Sequence, residues 1–247
     1  MTDGIGETFM ARTRYEAMGP SAQSLGRPQP PLEMPAETGA EAVGLPRPAE
    51  ADAPVELTGA IERRRSVRDY APGPLTPAEL SYLLWCTQGV RRVVGGQATL
   101  RTVPSAGARH ALETFLLVNR VAGLEAGLYR FLATGHKLAR LRRGPESSPA
   151  GDLTAACLGQ EFVAASAVTF VWAADAARMT WRYGQRGYRY LFLDAGHACQ
   201  NLYLAAGAVG CGVCAIGAFD DGAVNELLGL DGRDRFAVYG AAVGRMP

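Results

Sequence analysis

The segment at about residues 186–207, containing GYRYLFLDAGHACQNLYLAAG, constrains this chain more than any other stretch. Leu191, Ala195, Ala198, Leu202 and Ala205 recur at i, i+3 and i+4 spacing, which predicts a helix. At 1.5 Å per residue that helix spans roughly 30 Å. Small or apolar residues stand on nearly all of its faces. Such a helix is either central to the fold or lies at an oligomer interface, so the remaining elements must be arranged around it.

Those elements alternate irregularly. A short helix is predicted at 57–64, followed by the basic run Arg63-Arg64-Arg65-Ser66-Val67-Arg68. Thr76-Pro77-Ala78-Glu79 is a helix start with a cap, a first-position proline and a capping-box acid, and Gly89 is the stop. Residues 113–119 and 167–173 read as buried strands, 127–131 and 137–141 as a hairpin, and 149–160 as a helix. Strands at 212–216 and 235–243 close the chain around a helix at 220–228. Without regular strand–helix–strand alternation, this order favours an α+β fold over a doubly wound sheet. Residues 1–55, dense in Pro, Gly, Ala and Glu, read as an extended arm, wrapped on a surface or mobile; wrapped in a dimer, it would cross onto the partner. Residues 56–247 form the folded body.

Several function classes lose support. A net charge of +1 gives no footprint for nucleic acid or an acidic membrane surface. No apolar run reaches the roughly 18–20 residues of a membrane span. The N-terminus lacks the apolar core of a secretory signal, so a cytoplasmic location is expected. Five cysteines in a long chain fit reduced thiols rather than a disulfide framework. There is no Walker A loop, strand-linked GxGxxG, HExxH or GxSxG. Cys211 and Cys214 form a CxxC, but structural zinc needs a second ligand pair and none stands at suitable spacing, so no metal site is assigned.

Three segments could carry chemistry. Arg64, Ser66 and Arg68 alternate after a short helix. Two guanidinium forks and a hydroxyl suit a phosphate, and the same residues also suit a solvated basic turn. Pro104-Ser105-Ala106-Gly107-Ala108-Arg109-His110 offers small residues that let backbone donors approach a flat ligand, or forms an ordinary loop. Ile216-Gly217-Ala218 ends a strand at a turn whose N–H groups can address a ligand's edge.

Taken in order, these segments resemble the nitroreductase-like flavoproteins, most closely the SagB-type dehydrogenase branch. The resemblance runs through Glu62–Tyr70, Pro74–Ser81, Leu84–Gly89, Pro104–His110, Gly127-Leu128-Tyr129, Arg186–Tyr190, Asp194–His197 and Ala242–Arg245. It implies an α+β sandwich, with a central, mainly antiparallel sheet flanked by helices, in an intertwined homodimer with FMN at the subunit interface. Arg64, Ser66, Arg68 and Arg245 would grip phosphate and ribityl, with Arg65 contributing backbone. Pro104, Ser105, Ala106 and Ala108 would lie against the partner's flavin, Gln160 would meet the pyrimidine edge, and Ile216, Gly217 and Ala218 would face N5 and O4.

The activity implied is hydride transfer through flavin N5, with NADH or NADPH as donor or with a peptide-derived ring as substrate. Tyr183 and Arg182 are the catalytic candidates, and Arg109 and His110 could also line the substrate side. Gly217-Ala218 stands where many relatives carry Glu-Gly, and the 105–108 loop lacks the amide side chain of typical nitroreductases. Arg182 stands where azoline-oxidising members carry lysine, and a guanidinium holds its proton too firmly for general base catalysis. Two alternatives stay open: a non-catalytic flavin-fold scaffolding component of a biosynthetic complex, and a metal–thiol protein.

Overall fold

The computed structural model describes residues 4–36, 39–48, 54–141 and 148–247. The arm contributes helix α1 (Ile5–Arg12) and strand β1 (Ala42–Gly44). The body begins with α2 (Leu57–Arg63) and α3 (Pro77–Gln88), then β2 (Val90–Val94), β3 (Ala98–Arg101), β4 (Leu112–Val118), β5 (Gly127–Leu132) and β6 (Lys137–Arg140). It continues through α4 (Pro149–Ala156), α5 (Phe162–Ala165), β7 (Val168–Asp175), α6 (Ala176–Tyr183) and α7 (Gly187–Ala208). It ends with β8 (Cys211–Ile216), α8 (Asp221–Leu228) and β9 (Arg235–Arg245).

The main sheet runs β1-β6-β5-β4-β7-β9-β8 with antiparallel pairing throughout. Every residue of β4 and β7 is buried, because helices cover both faces of the sheet. Successive side chains point to opposite faces. Leu116, Phe170 and Trp172 pack with α3, α6 and α7, while Phe115, Leu117, Val171 and Ala173 pack with α4, α5 and α8. The α+β sandwich expected from the order of elements is therefore observed.

The capping box of α3 forms as expected. Glu79 N–H donates to Thr76 Oγ1 at 3.2 Å, and Thr76 N–H donates to Glu79 Oε2 at 2.7 Å. Helix α7 matches the long apolar segment to within a residue at each end. Leu191, Ala195, Ala198, Leu202 and Ala205 face the core, whereas Phe192 and Leu193 are 56% and 57% exposed.

Three features differ from the sequence reading. The helix expected at 149–160 ends at Ala156, because Leu158 (φ 57°) and Gly159 (φ 73°) are left-handed and turn the chain. The β2–β3 hairpin and α6 are additions to the sequence reading: the hairpin carries no apolar alternation, and α6 is a short amphipathic helix whose buried face includes Arg178. The arm, read as extended, contains α1 and β1; its wrapping on a surface is one of the two states expected, as Gln23 N–H donates to Trp181 O at 2.9 Å and Trp181 Nε1 donates to Arg27 O at 2.9 Å. Residues 1–3, 37–38 and 49–53 of the expected arm lie outside the described residues. Among the described residues, no helix is long and apolar enough to cross a membrane.

Candidate functional site

Strand β8 is the edge of the sheet and carries the basic loop. Ser66 bridges Val213 in parallel register, and Val67 N–H donates to Val213 O at 2.8 Å. The close approach requires glycine at 212, since a Cβ there would lie 2.6 Å from Val67 Cβ. Tyr203 of α7 fixes the loop from the other side. Its hydroxyl lies 3.0 Å from Ser66 Oγ and accepts from Ala215 N–H at 3.0 Å. The Arg64 guanidinium lies over the Tyr203 ring at 5.2 Å, and that of Arg68 over Phe162 at 5.9 Å. Arg64, Arg65, Ser66 and Arg68 are all exposed. A cleft of about 510 Å³ opens beside them, between Arg63–Arg65, Tyr203, Leu204 and Val213.

Arg245 stands opposite Cys211 at the start of the same edge. Its guanidinium binds Glu79 at 2.6 Å and donates to Val209 O at 2.9 Å and Pro74 O at 3.2 Å. Of the four side chains expected to grip an anion, it is the one held by a carboxylate among the described residues. The capping-box residue Glu79 supplies that carboxylate, a link the sequence does not announce.

The far end of β8 carries the glycine turn, with Ile216 buried and Gly217 and Ala218 exposed. The left-handed turn after α4 delivers Gln160 to this point, where its amide donates to Ala218 O and to Cys157 O, each at 2.8 Å. At roughly 3.3 Å per residue, Cys211 and Gly217 stand roughly 20 Å apart along the strand. One sheet edge thus offers cationic side chains at one end and exposed backbone donors with an amide at the other.

Pro104–Ala108 lies elsewhere, against the N-terminal half of α7. Ala106 N–H donates to Asp194 Oδ1 at 3.3 Å, and His110 N–H donates to Ser105 Oγ at 2.9 Å. Asp194 is buried, burial raises its pKa, and among the described residues its second oxygen has no hydrogen-bond partner. Tyr183 and Arg182, at the end of α6, close over Gly107. Asp194 and Tyr203 sit nine residues apart on α7, about 13 Å along its axis. Within one subunit, the expected flavin-facing loop and the phosphate grip therefore lie on different stretches of that helix. Asp194 opens one of the segments that carry the resemblance, without a role assigned to it, and Tyr203 reads as an ordinary position of an apolar helix.

His110 is buried with φ 44°. Burial, then the nearby Arg101 and Arg109, pull its imidazole from 6.5 to about 3. Between those values the unfolded chain binds the proton and the folded chain does not, so stability falls as pH drops from 6.5 towards 3. His110→Gln is expected to flatten this part of the stability curve. Urea midpoints from about pH 7 to about pH 4 check it, and an unchanged slope would refute the assignment. Cys157, Cys199, Cys211 and Cys214 are buried thiols outside any disulfide. Burial lifts the Cys211 thiol to about 11, away from the thiolate that metal or redox chemistry uses.

These features define a class: an α+β sandwich with a long apolar helix beside an edge strand that presents cations at one end and a glycine turn at the other. The chain belongs to the nitroreductase family, whose sequence model matches residues 61–245, and is thereby an oxidoreductase. It is 37% identical over 174 residues to the provisionally named nitroreductase MJ1384 of Methanocaldococcus jannaschii, covering 70% of this chain and 84% of that one. It is 29% identical over 154 residues to the trifolitoxin-processing protein TfxB of Rhizobium leguminosarum bv. trifolii, covering 62% of this chain and 41% of TfxB. The crystal structure of a provisionally assigned nitroreductase from Anabaena variabilis superposes with a TM-score of 0.69 at 31% identity, over 84% of this chain and 42% of that one. The chain thus spans less than half of TfxB and of the Anabaena protein.

Proposed function

We propose that this chain is an FMN-dependent oxidoreductase that works as a homodimer and acts on a small-molecule or peptide-derived substrate. The observation that carries this is the docking of the basic loop on β8, in line with the Gly217 turn and the Gln160 amide. The residues present fit the group: exposed guanidiniums suit a phosphate ester, and backbone donors with an amide suit a polar ring edge.

Arg64, Ser66 and Arg68 would hold the phosphate and ribityl chain, with the Arg65 backbone beside them. Arg245, fixed by Glu79, adds positive charge at the same end. Gln160 would orient the pyrimidine edge, and the N–H groups of Gly217 and Ala218 would stabilise negative charge on the ring, Ile216 being paired with Gly240 of β9. Bound there, FMN supplies hydride acceptance and release at N5. Pro104, Ser105, Ala106 and Ala108 would complete the partner's site, and Asp194 holds that loop in place. The exposed Phe192 and Leu193 on α7, with Leu57 and Ile61 on α2, support burial of this face in a dimer. Arg182 and Tyr183 would line the substrate side. Electrons would come from NADH or NADPH, or from the substrate itself in the SagB-type direction. The naming of TfxB for trifolitoxin processing favours a biosynthetic substrate.

The test is titration of purified protein with FMN, followed by anaerobic mixing with NADH or NADPH. Binding and rapid bleaching of the flavin absorbance are expected for the reductase direction. Bleaching only by an azoline-containing peptide would place the chain in the dehydrogenase direction. Absence of FMN binding overturns the proposal.

A further inference from the structure

Arg109 and Arg182 are brought together over one glycine. Gly107 is left-handed (φ 56°), and its carbonyl accepts from Arg109 Nε at 3.2 Å. A Cβ built on Gly107 would lie 2.4 Å from Tyr183 Oη and 3.1 Å from Arg182 Nε. Arg109 rests on the Trp181 ring at 5.4 Å, and Arg182 faces the Tyr183 ring at 5.8 Å. Arg109 also donates to Gln97 O at 3.4 Å, so it is held beside Gly107 by two carbonyls, and the Arg182 stem passes the same glycine.

Carboxylates neutralise other arginines: Arg178 has Glu113 and Asp175, Arg245 has Glu79, and Arg140 has Glu125. Among the described residues, neither Arg109 nor Arg182 makes an ion pair. Arg109 is half-buried and Arg182 is exposed. Like charges held together repel unless a counter-charge enters. Burial lowers the proton affinity of Arg109, and Arg182 lowers it further.

We propose that Arg109 and Arg182 form a binding site for the carboxylate of an anionic substrate, held beside the Tyr183 hydroxyl. Two planar donor forks at one point match the two oxygens of a carboxylate. The arginine in place of lysine at 182 then grips substrate rather than moving a proton. The loop that carries Gly107 is the one that would lie against the partner's flavin. Calling the bound anion a substrate therefore rests on the flavin assignment, whereas the anion site itself does not.

The test is calorimetric titration of the full chain, with and without FMN, using benzoate and its neutral counterpart benzamide. Benzoate is expected to bind about tenfold or more tightly than benzamide, and Arg182→Gln to remove that preference. Arg182→Gln breaks no hydrogen bond found in the structure, so the fold is expected to survive. Arg182→Lys should restore part of the preference, and Arg109→Gln should weaken benzoate in the same way. Equal binding of benzoate and benzamide, or benzoate binding unchanged in Arg182→Gln and Arg109→Gln, overturns the proposal. Arginine-dependent benzoate binding by a protein that takes up no FMN would uphold the anion site while the flavin assignment fails.

Discussion

Glu113→Ala is expected to destabilise the fold by about 3–5 kcal/mol, because it leaves a buried guanidinium without its main counter-charge. Arg178 and Glu113 are 3% and 4% exposed and form an ion pair in the interior, where α6 meets β4. Asp175 lies 3.4 Å from the same nitrogen of Arg178, a longer contact. Arg101 is buried in the same region. Burial pulls it down to about 10, and Glu113 is the largest influence acting against that. One carboxylate thus serves two interior cations. It also accepts from Met34 N–H at 2.8 Å, so its loss releases part of the arm. Domains of this kind are stable by about 5–15 kcal/mol, so the change removes a large share of the total. Urea unfolding measures the loss, and limited proteolysis near Met34 reports release of the arm. Glu113→Gln, which keeps hydrogen-bond acceptance, should cost less. A loss below about 1 kcal/mol for Glu113→Ala would show that Asp175 and solvent compensate.

Replacing Arg64 and Arg68 together with alanine is expected to weaken FMN binding by about a hundredfold or more, with little effect on stability. Each charge-assisted hydrogen bond is worth about 1.5–3 kcal/mol when its partner is present, and about 1.4 kcal/mol is a tenfold change in affinity. Both side chains are exposed, and both rest on aromatic rings rather than on carboxylates. Their removal should therefore leave the edge pairing of Val67 with Val213 intact. Flavin fluorescence titration reads the affinity, and a urea curve run in parallel reads the fold. Unchanged FMN affinity in the double variant would remove the basic loop from the site. The same substitutions should also reduce the sensitivity of binding to salt, since exposed charges are screened.

Much of the architecture is legible in the chain. The α3 start is, because Thr76, Pro77 and Glu79 satisfy its free N–H groups locally. The α7 helix is, because its period persists over many turns. Strands β4 and β7 are, because a strand covered on both faces reads as a mostly apolar run, here Phe115–Val118 and Phe170–Ala174. The end of α4 was misplaced, since Leu158 adopts a left-handed conformation that its residue type does not favour. The β2–β3 hairpin is not legible, since β2 is mostly exposed and the positions β3 buries are the polar Thr99 and Arg101, with Leu100 exposed.

By itself, the sequence determined that a long apolar helix must sit among mixed strands and helices. It also supplied the basic loop, the small-residue loop and the glycine turn in their order along the chain. These follow from local spacing and from residue chemistry, which need no distant contact. Only the tertiary structure decided that the basic loop docks on β8 through Val213 and Tyr203, that Glu79 holds Arg245, and that Arg109 and Arg182 meet over Gly107. Each of those contacts joins residues brought near by packing across the sheet or around α7, and pattern along a chain carries no measure of that distance.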